Sequence, residues 1–445
     1  MNTQPKLTVS GYRGIWGTTL TEEIAREYAK AYGAYVLSKN HTSIVIARDG
    51  RETGPILLEA IADELLSLGL DVTDMGMMAT PVIPFVVRAK KFGGAIIVTA
   101  SHNPIEYNGL KFITDTGSFT TEHEVTEVEA FRGKTVQGLN RTSMRTNGAS
   151  FFEEYLTAIT SRIEIEAIAR KHFSVGFDPI NSVGSTLTPE LLDTLGAHFA
   201  GINTDPSGQF AHEPEPLPEN LTGLQKLVRD LKCHVGFAQD PDGDRLVICD
   251  ENGTIPTEET MLALCIKAVL KKKKGDVVIN MSTSNMSADI AKEFGVQIFR
   301  SKVGEANVVQ MMKEKNAVIG GEGGGGVIWP EANMARDSFV GIALILELMA
   351  KENKPLSEII ALLPKYVMKK EKITFTGDLP SFYEKLKNEF VGAEINTLDG
   401  IRFDFPDNSW IHVRPSNTEP VLRIIGEAKD TVRISEIVQI VKNAF

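Results

Sequence analysis

The chain has 445 residues, of which 58 are acidic and 47 basic, giving a net charge of −11. Apolar residues make up 42% and charged residues 24%, ordinary globular usage that excludes wholesale disorder, while the acidity excludes a broad nucleic-acid surface but leaves room for a local basic cleft. The N-terminus has no apolar signal core, and the longest apolar run, Phe339–Ala350, contains Glu347 and is too short to span a bilayer; Cys233, Cys249 and Cys265 show no metal-ligand spacing, so the expectation is a reduced, cytoplasmic protein without membrane or nucleic-acid partners.

Length alone suggests about three domains. In chain order, the apolar strand Ile44–Ala47 is followed by the polar loop RDGRETG and an amphipathic helix over Pro55–Leu68, ended by Gly69. A second strand leads from Leu70 toward Met75, and a third, Gly94–Val98, runs into TASHNP. This order predicts a parallel sheet with helices on its faces. The grammar then returns. Ser174–Phe177 leads into DPINSVG and a helix ending near Leu195–Gly196, and the later strand Val235–Ala238 runs into QDPDGDR. Val277–Asn280 leads into MSTSNMS and a helix ending near Phe294–Gly295, and Ala317–Ile319 runs into GGEGGGG. These rounds read as three copies of one α/β unit. The C-terminal stretch differs: Ile373–Phe375, Ile401–Phe405, Ser409–Val413 and Val421–Ile425 look like strands, and Arg433–Phe445 like a closing helix. The expected architecture is three related α/β domains with mixed or parallel sheets, 1–148, 149–253 and 254–366, around a central cleft. A C-terminal α+β unit, 367–445, follows, with the boundary near Leu363–Lys370.

Four loops have the composition for chemistry. In Thr99–Pro104 a serine directly follows a buried strand, where ligands bind in open α/β sheets, and His102 beside Ser101 suits an orienter or proton carrier. In Asp240–Arg245, carboxylates at alternate positions can converge on one hard cation, and oxygen-only ligands favour Mg²⁺ over zinc. An EF-hand is rejected because Arg245 falls where that loop needs glycine and strands flank the motif. Gly320–Gly326 allows close backbone approach to a polyol or a phosphate, with Glu322 as its one carboxylate. Arg414–Pro420 gathers a guanidinium, hydroxyls and an amide, a set suited to a phosphate dianion or to a plain inter-strand turn. Arg423 can add a second charge. Arg13, Lys111, Arg300 and Lys302 are further candidate cations, each open to the reading of a solvated surface charge.

Together, in order and spacing, TASHNP, DPDGDR, GGEGGGG and RPSNTEP resemble the α-D-phosphohexomutase superfamily, closest to its archaeal-type members. The resemblance covers the whole chain. It implies that Ser101 is phosphorylated and that Asp240, Asp242 and Asp244, with the Ser101 phosphate, hold one Mg²⁺. It implies sugar recognition at Glu322 and Gly324, and a phosphate site at Arg414, Ser416, Asn417 and Thr418. It also implies that the C-terminal unit is a lid hinged near Leu363–Lys370. Arg13, Lys111 and Arg245 match positions near the transferring phosphoryl group. Many relatives carry Glu-x-Ser-Gly-His in the sugar loop; here Gly324 and Gly326 stand at the serine and histidine positions.

The implied activity interconverts hexose 6-phosphate and hexose 1-phosphate through a phosphoserine and a 1,6-bisphosphate, with a hexose 1,6-bisphosphate as activator. The His-less loop leans toward phosphoglucosamine mutase, ahead of phosphomannomutase/phosphoglucomutase. Lys111 is expected to take the proton of the attacking hydroxyl, if a positive cleft lowers its pKa. A Mg²⁺-dependent sugar-phosphate phosphatase with a serine nucleophile is the alternative from another class; a second phosphate anchor argues against it. Partners are small sugar phosphates, and the chain is expected to be a monomer or homodimer.

Overall fold

Strands buried along their whole length lie inside three sheets: Gly94–Val98, Val235–Gln239 and Val277–Asn280. Such runs belong in sheets covered on both faces. In this computed structural model, which describes residues 5–416 and 421–445, the three sheets share one topology. Ser43–Arg48 pairs in parallel with Asp71–Met77 and Gly94–Val98, and Gly94–Val98 pairs antiparallel with Tyr107–Thr114. Ser174–Asp178 takes the same place between His198–Gly201 and Val235–Gln239, the latter antiparallel to Leu246–Asp250. Val277–Asn280 sits between Ile298–Ser301 and Ile319–Glu322, the latter antiparallel to Gly326–Ile328. The sheets are therefore mixed, not purely parallel as the strand–helix alternation suggests. A short loop can join antiparallel strands but not parallel ones. Each dense motif thus becomes the tip of an equivalent hairpin.

Tyr12–Ile15 and Arg145–Asn147 widen the first sheet. The fourth sheet is antiparallel, in the order Val367–Thr374, Val421–Ala428, Trp410–Pro415, Ile401–Asp404, Glu394–Asn396. Its first strand is longer than the expected Ile373–Phe375 because lysines occupy it. Lysine is common on exposed edge strands and hides their apolar alternation. Helix Thr431–Asn443 closes this unit, capped by Asp430, whose side chain accepts from the Arg433 N–H.

One apolar cluster runs through the first three units, from Val45 through Phe177 to Ile279 and Leu346. Helix Ser338–Glu352 is buried from Ser338 to Ala350. The charge inside it, Glu347, is paired with Lys272 at 2.9 Å. The C-terminal unit has its own core, around Phe382, Ile411 and Ile437. It docks on the third unit through polar groups: His412 Nδ1 lies 2.9 Å from Ser282 Oγ, Arg402 donates to Met281 O, and Glu427 accepts from the Asn285 N–H. Among the described residues no helix is long and apolar enough to cross a membrane.

Candidate active site

The first hairpin tip places Ser101 at the end of Gly94–Val98 with φ +50°, a left-handed conformation uncommon outside glycine. Ser101 is 1% exposed. Its Oγ donates to Asp240 Oδ2 at 2.9 Å and lies 3.3 Å from His102 Nδ1. Burial, then the charges of Arg245 and Arg13, push the His102 imidazole down to about 2. His102 is therefore a neutral neighbour of the serine, not a cation.

The second tip brings Asp240, Asp242 and Asp244 together, all with 0% exposure, with one ligand oxygen from each within 4.8 Å of the others. Asp242 Oδ1 and Asp244 Oδ1 are buried without a hydrogen-bond partner among the described residues. Their second oxygens are occupied: Asp242 Oδ2 accepts from Thr80 Oγ1 (2.6 Å) and Lys111 Nζ (2.5 Å), and Asp244 Oδ2 from Arg336 Nη2 (2.6 Å). Burial and the charges of Asp244 and Asp242 push the Asp240 carboxyl well above the usual range. Burial pushes Asp244 up too, but Arg336, Lys111 and Arg245 outweigh it and hold that carboxyl far down. Orphaned oxygens on a crowded, oxygen-only donor set fit a divalent cation such as Mg²⁺. Lys111 corrects an expectation. Burial lowers its ammonium pKa, but Asp242 and Asp244 reverse that and leave it raised. Its Nζ donates to Asp242 Oδ2 and Asp244 Oδ2, at 2.5 and 3.2 Å.

The third tip carries Glu322, whose Oε1 accepts from Asn280 Nδ2 (2.8 Å) and the Gly304 N–H (2.7 Å), and whose Oε2 accepts from Arg336 Nη1 (3.3 Å). Arg336 thus joins the sugar-loop position to Asp244, and Glu305 grips it at Nε (3.1 Å). Gly326 makes room for this arginine, since a Cβ there would lie 2.5 Å from Arg336 Cδ. Gly325 has φ +91°, and a Cβ would lie 2.4 Å from Leu246 O, so the sugar loop rests directly on the strand leaving the metal loop. Gly324 has φ +85° and does not line the cavity.

A cavity of about 470 Å³ opens over these tips. Arg13, Lys111, Arg245, Lys302, Arg336, Arg414 and Arg423 line it, with Ser416, Glu305 and Glu322. The Nε atoms of Arg13, Arg245, Arg414 and Arg423 are buried and unpartnered among the described residues. Arg414 and Arg423 face each other across adjacent strands. Like charges directly opposite are destabilising unless an anion sits between them. Arg300, expected among these cations, lies elsewhere. Its guanidinium donates to Asn280 O, Thr283 O and Asn285 Oδ1, at 3.2, 2.8 and 2.7 Å, inside the third unit. Asn417 and Thr418 fall outside the described residues.

Sequence reading missed Arg336, Glu305, Thr80 and the Asp49–Arg51 turn. The signal for Arg336 was an Arg-Asp pair in front of the apolar helix Ser338–Glu352, where Asp337 caps the helix and accepts from Phe339 N and Val340 N.

Family models for phosphoglucomutase/phosphomannomutase match residues 5–136 (alpha/beta/alpha domain I), 153–253 (domain II), 257–366 (domain III) and 369–444 (C-terminal domain). A phosphoglucomutase/phosphomannomutase of Thermococcus kodakarensis is 36% identical over 97% of this chain and 96% of its own. A phosphoglucosamine/phosphogalactosamine mutase of Sulfurisphaera tokodaii is 32% identical over 94% of each. The crystal structure of a phosphoglucomutase/phosphomannomutase family protein from Burkholderia thailandensis superposes with a TM-score of 0.90, at 28% identity, covering 100% of this chain and 97% of that one.

Proposed function

The chain belongs to the phosphoglucomutase/phosphomannomutase family of phosphohexomutases, and on that premise we propose that it converts hexosamine 6-phosphate to hexosamine 1-phosphate with Ser101 as the phosphoryl carrier. The observation that carries this reading is the convergence of Ser101 Oγ on Asp240 at one end of a cavity whose other walls bear arginines with buried Nε atoms that lack a partner among the described residues. A carrier at one place and an anion seat at another are what moving a phosphate along one sugar requires.

Asp240, Asp242, Asp244 and the oxygens on Ser101 would hold Mg²⁺. Bound there, the cation supplies charge neutralisation at the phosphoserine. Lys111, Arg13 and Arg245 add donors at the same place, and as permanent cations they favour the charge spread over the transferring oxygens. The sugar hydroxyl forms the new P–O bond as the Ser101 P–O bond breaks. The hydroxyl's proton is balanced by the one that Ser101 Oγ takes up. Reorientation of the bisphosphate and the reverse step return a phosphoryl group to Ser101. Arg414, Ser416 and Arg423 seat the phosphate that does not react, with Asn417 and Thr418 assigned to the same loop. Glu322 takes sugar hydroxyls, and Lys302 at the rim attracts the anionic substrate. The C-terminal unit, hinged near Leu363–Lys370, closes over the sugar and excludes water, which would otherwise hydrolyse the phosphoserine.

The glycine-rich, His-less sugar loop favours the hexosamine. The name of the Thermococcus kodakarensis relative favours mannose and glucose phosphates instead. A coupled assay on the 6-phosphates of glucosamine, mannose and glucose decides. The reading expects glucosamine 6-phosphate to lead in kcat/KM by at least tenfold; equal rates on all three would discard the narrow assignment.

A further inference from the structure

Arg51 is 1% exposed and lies in the polar turn after Ser43–Arg48, in sequence outside the four motif loops. Its guanidinium reaches none of the acids of the metal loop. It is spent on main-chain carbonyls of the serine loop: Nη2 donates to Ser101 O at 2.8 Å and Asn103 O at 2.7 Å, and Nη1 to Pro104 O and Tyr107 O, both at 2.8 Å. Nε donates to Asp49 Oδ2 at 3.2 Å. Thr99 Oγ1 donates to that same Asp49 oxygen at 2.6 Å and accepts from the Ser101 N–H at 2.8 Å. The serine is therefore held on both sides of its left-handed Cα, through its N–H and its carbonyl.

The same turn reaches the metal loop from behind. The Gly50 N–H donates to Ser182 Oγ at 3.0 Å, and Ser182 Oγ donates to Pro241 O. From the second unit, the Phe210 ring covers the guanidinium at 4.8 Å, and Gly208 approaches so closely that a Cβ would lie 1.6 Å from Gly50 O. Asp49, Gly50 and Arg51 thus form a bracket whose side-chain end holds the serine loop and whose backbone end holds the metal loop.

We propose that Arg51 is a positioning residue for phosphoryl transfer, fixing Ser101 in its left-handed conformation so that Oγ is aimed at the metal-loop carboxylates. This rests on the reading of Ser101 as the carrier. A buried guanidinium is suited to the task because its five donors lie in a rigid plane and need no deprotonation to stay bonded. Misplacing a reacting atom by about 1 Å can cost about 100-fold in rate. Loss of the bracket should therefore fall on the chemical step and spare sugar binding, which belongs to other loops.

The test follows transfer of the phosphoryl group from a hexose 1,6-bisphosphate to Ser101 in a single turnover, together with steady-state kcat and KM. Arg51→Lys is compared with Leu57→Ala, a truncation in the same unit's apolar core that serves as a control for lost stability. Arg51→Lys is expected to lower transfer and kcat about 100-fold with KM within threefold, while Leu57→Ala at a similar melting temperature keeps its kcat. Guanidinium ion in the assay should restore part of the activity of Arg51→Ala. Should the arginine variants fail to fold, Thr99→Val removes only the hydroxyl link and should still lose about tenfold in transfer. Transfer at the wild-type rate in Arg51→Lys, or in Thr99→Val where that variant stands in, overturns the bracket alone. A wild-type chain that takes up no phosphoryl group on Ser101 overturns the reading and the bracket together.

Discussion

At the scale of single residues, the site is a set of charges that do not cancel in place. Glu259 lies behind the glycine-rich loop, 3% exposed, with Oε1 unpartnered among the described residues and so close that a Cβ on Gly323 would lie 2.0 Å from it. Burial pushes its pKa from 4.5 up to about 7. The folded chain keeps a proton that the unfolded chain releases. The stability tied to that proton is fully present below about 4.5 and is lost as the pH rises to about 7, with a slope on the order of 1.4 kcal/mol per pH unit. Glu259→Gln should flatten the stability profile between pH 5 and 7 and leave the chain more stable than its parent at pH 8. Denaturant melts at these pH values check this, and parallel profiles for the two chains contradict it. Ser101, the three aspartates and Glu322, which the structure brings to one cleft, stood out in the sequence because they sit in dense, unusual loops. Sequence reading missed Arg336 and Glu305 because each comes from a chain segment whose role appears only when the third unit folds back on the metal loop. It misassigned Arg300 because a lone cation in a sequence does not reveal that main-chain carbonyls already use its donors.

At the scale of elements, the recurring strand order matters more than any one motif. Each of the three related units contains an equivalent hairpin, and folding them together brings the tips with Ser101, the three aspartates and Glu322 to one cleft. Alternation of strands and helices was legible in the sequence. The antiparallel return of each fourth strand was not, because local hydrophobicity records burial and carries no direction. The contact between the tips is steric as well as polar. Gly325→Ala places a Cβ at φ +91° against Leu246 O, which costs about 1–3 kcal/mol of loop strain. It also disturbs the bond from the Leu246 N–H to Gly325 O, 3.0 Å long. The expected outcome is a KM for hexose 6-phosphate raised at least tenfold with little change in global unfolding. An unchanged KM would mean that the loop's seat on Leu246 does not shape the sugar site.

At the scale of the whole molecule, a net charge of −11 coexists with a cavity lined by seven lysine and arginine side chains. The acidic exterior and basic cleft together suit a small polyanion and no extended one. The first three units share one core, and the fourth has its own. The separate core of the C-terminal unit was partly legible in the change of pattern after Leu363. The docking of the C-terminal unit through His412, Arg402 and Glu427 was not, because buried polar partners far apart in sequence leave no local trace. The central claim is that Ser101 carries the phosphoryl group between two positions of one sugar. Incubation with a hexose 1,6-bisphosphate bearing labelled phosphate, followed by peptide mapping and a chase with unlabelled hexosamine 6-phosphate, tests it directly. The account predicts label on the peptide containing Ser101, its passage to sugar bisphosphate during the chase, and no labelling of Ser101→Ala. Full mutase activity without label on Ser101, or release of the label chiefly as inorganic phosphate, would contradict it.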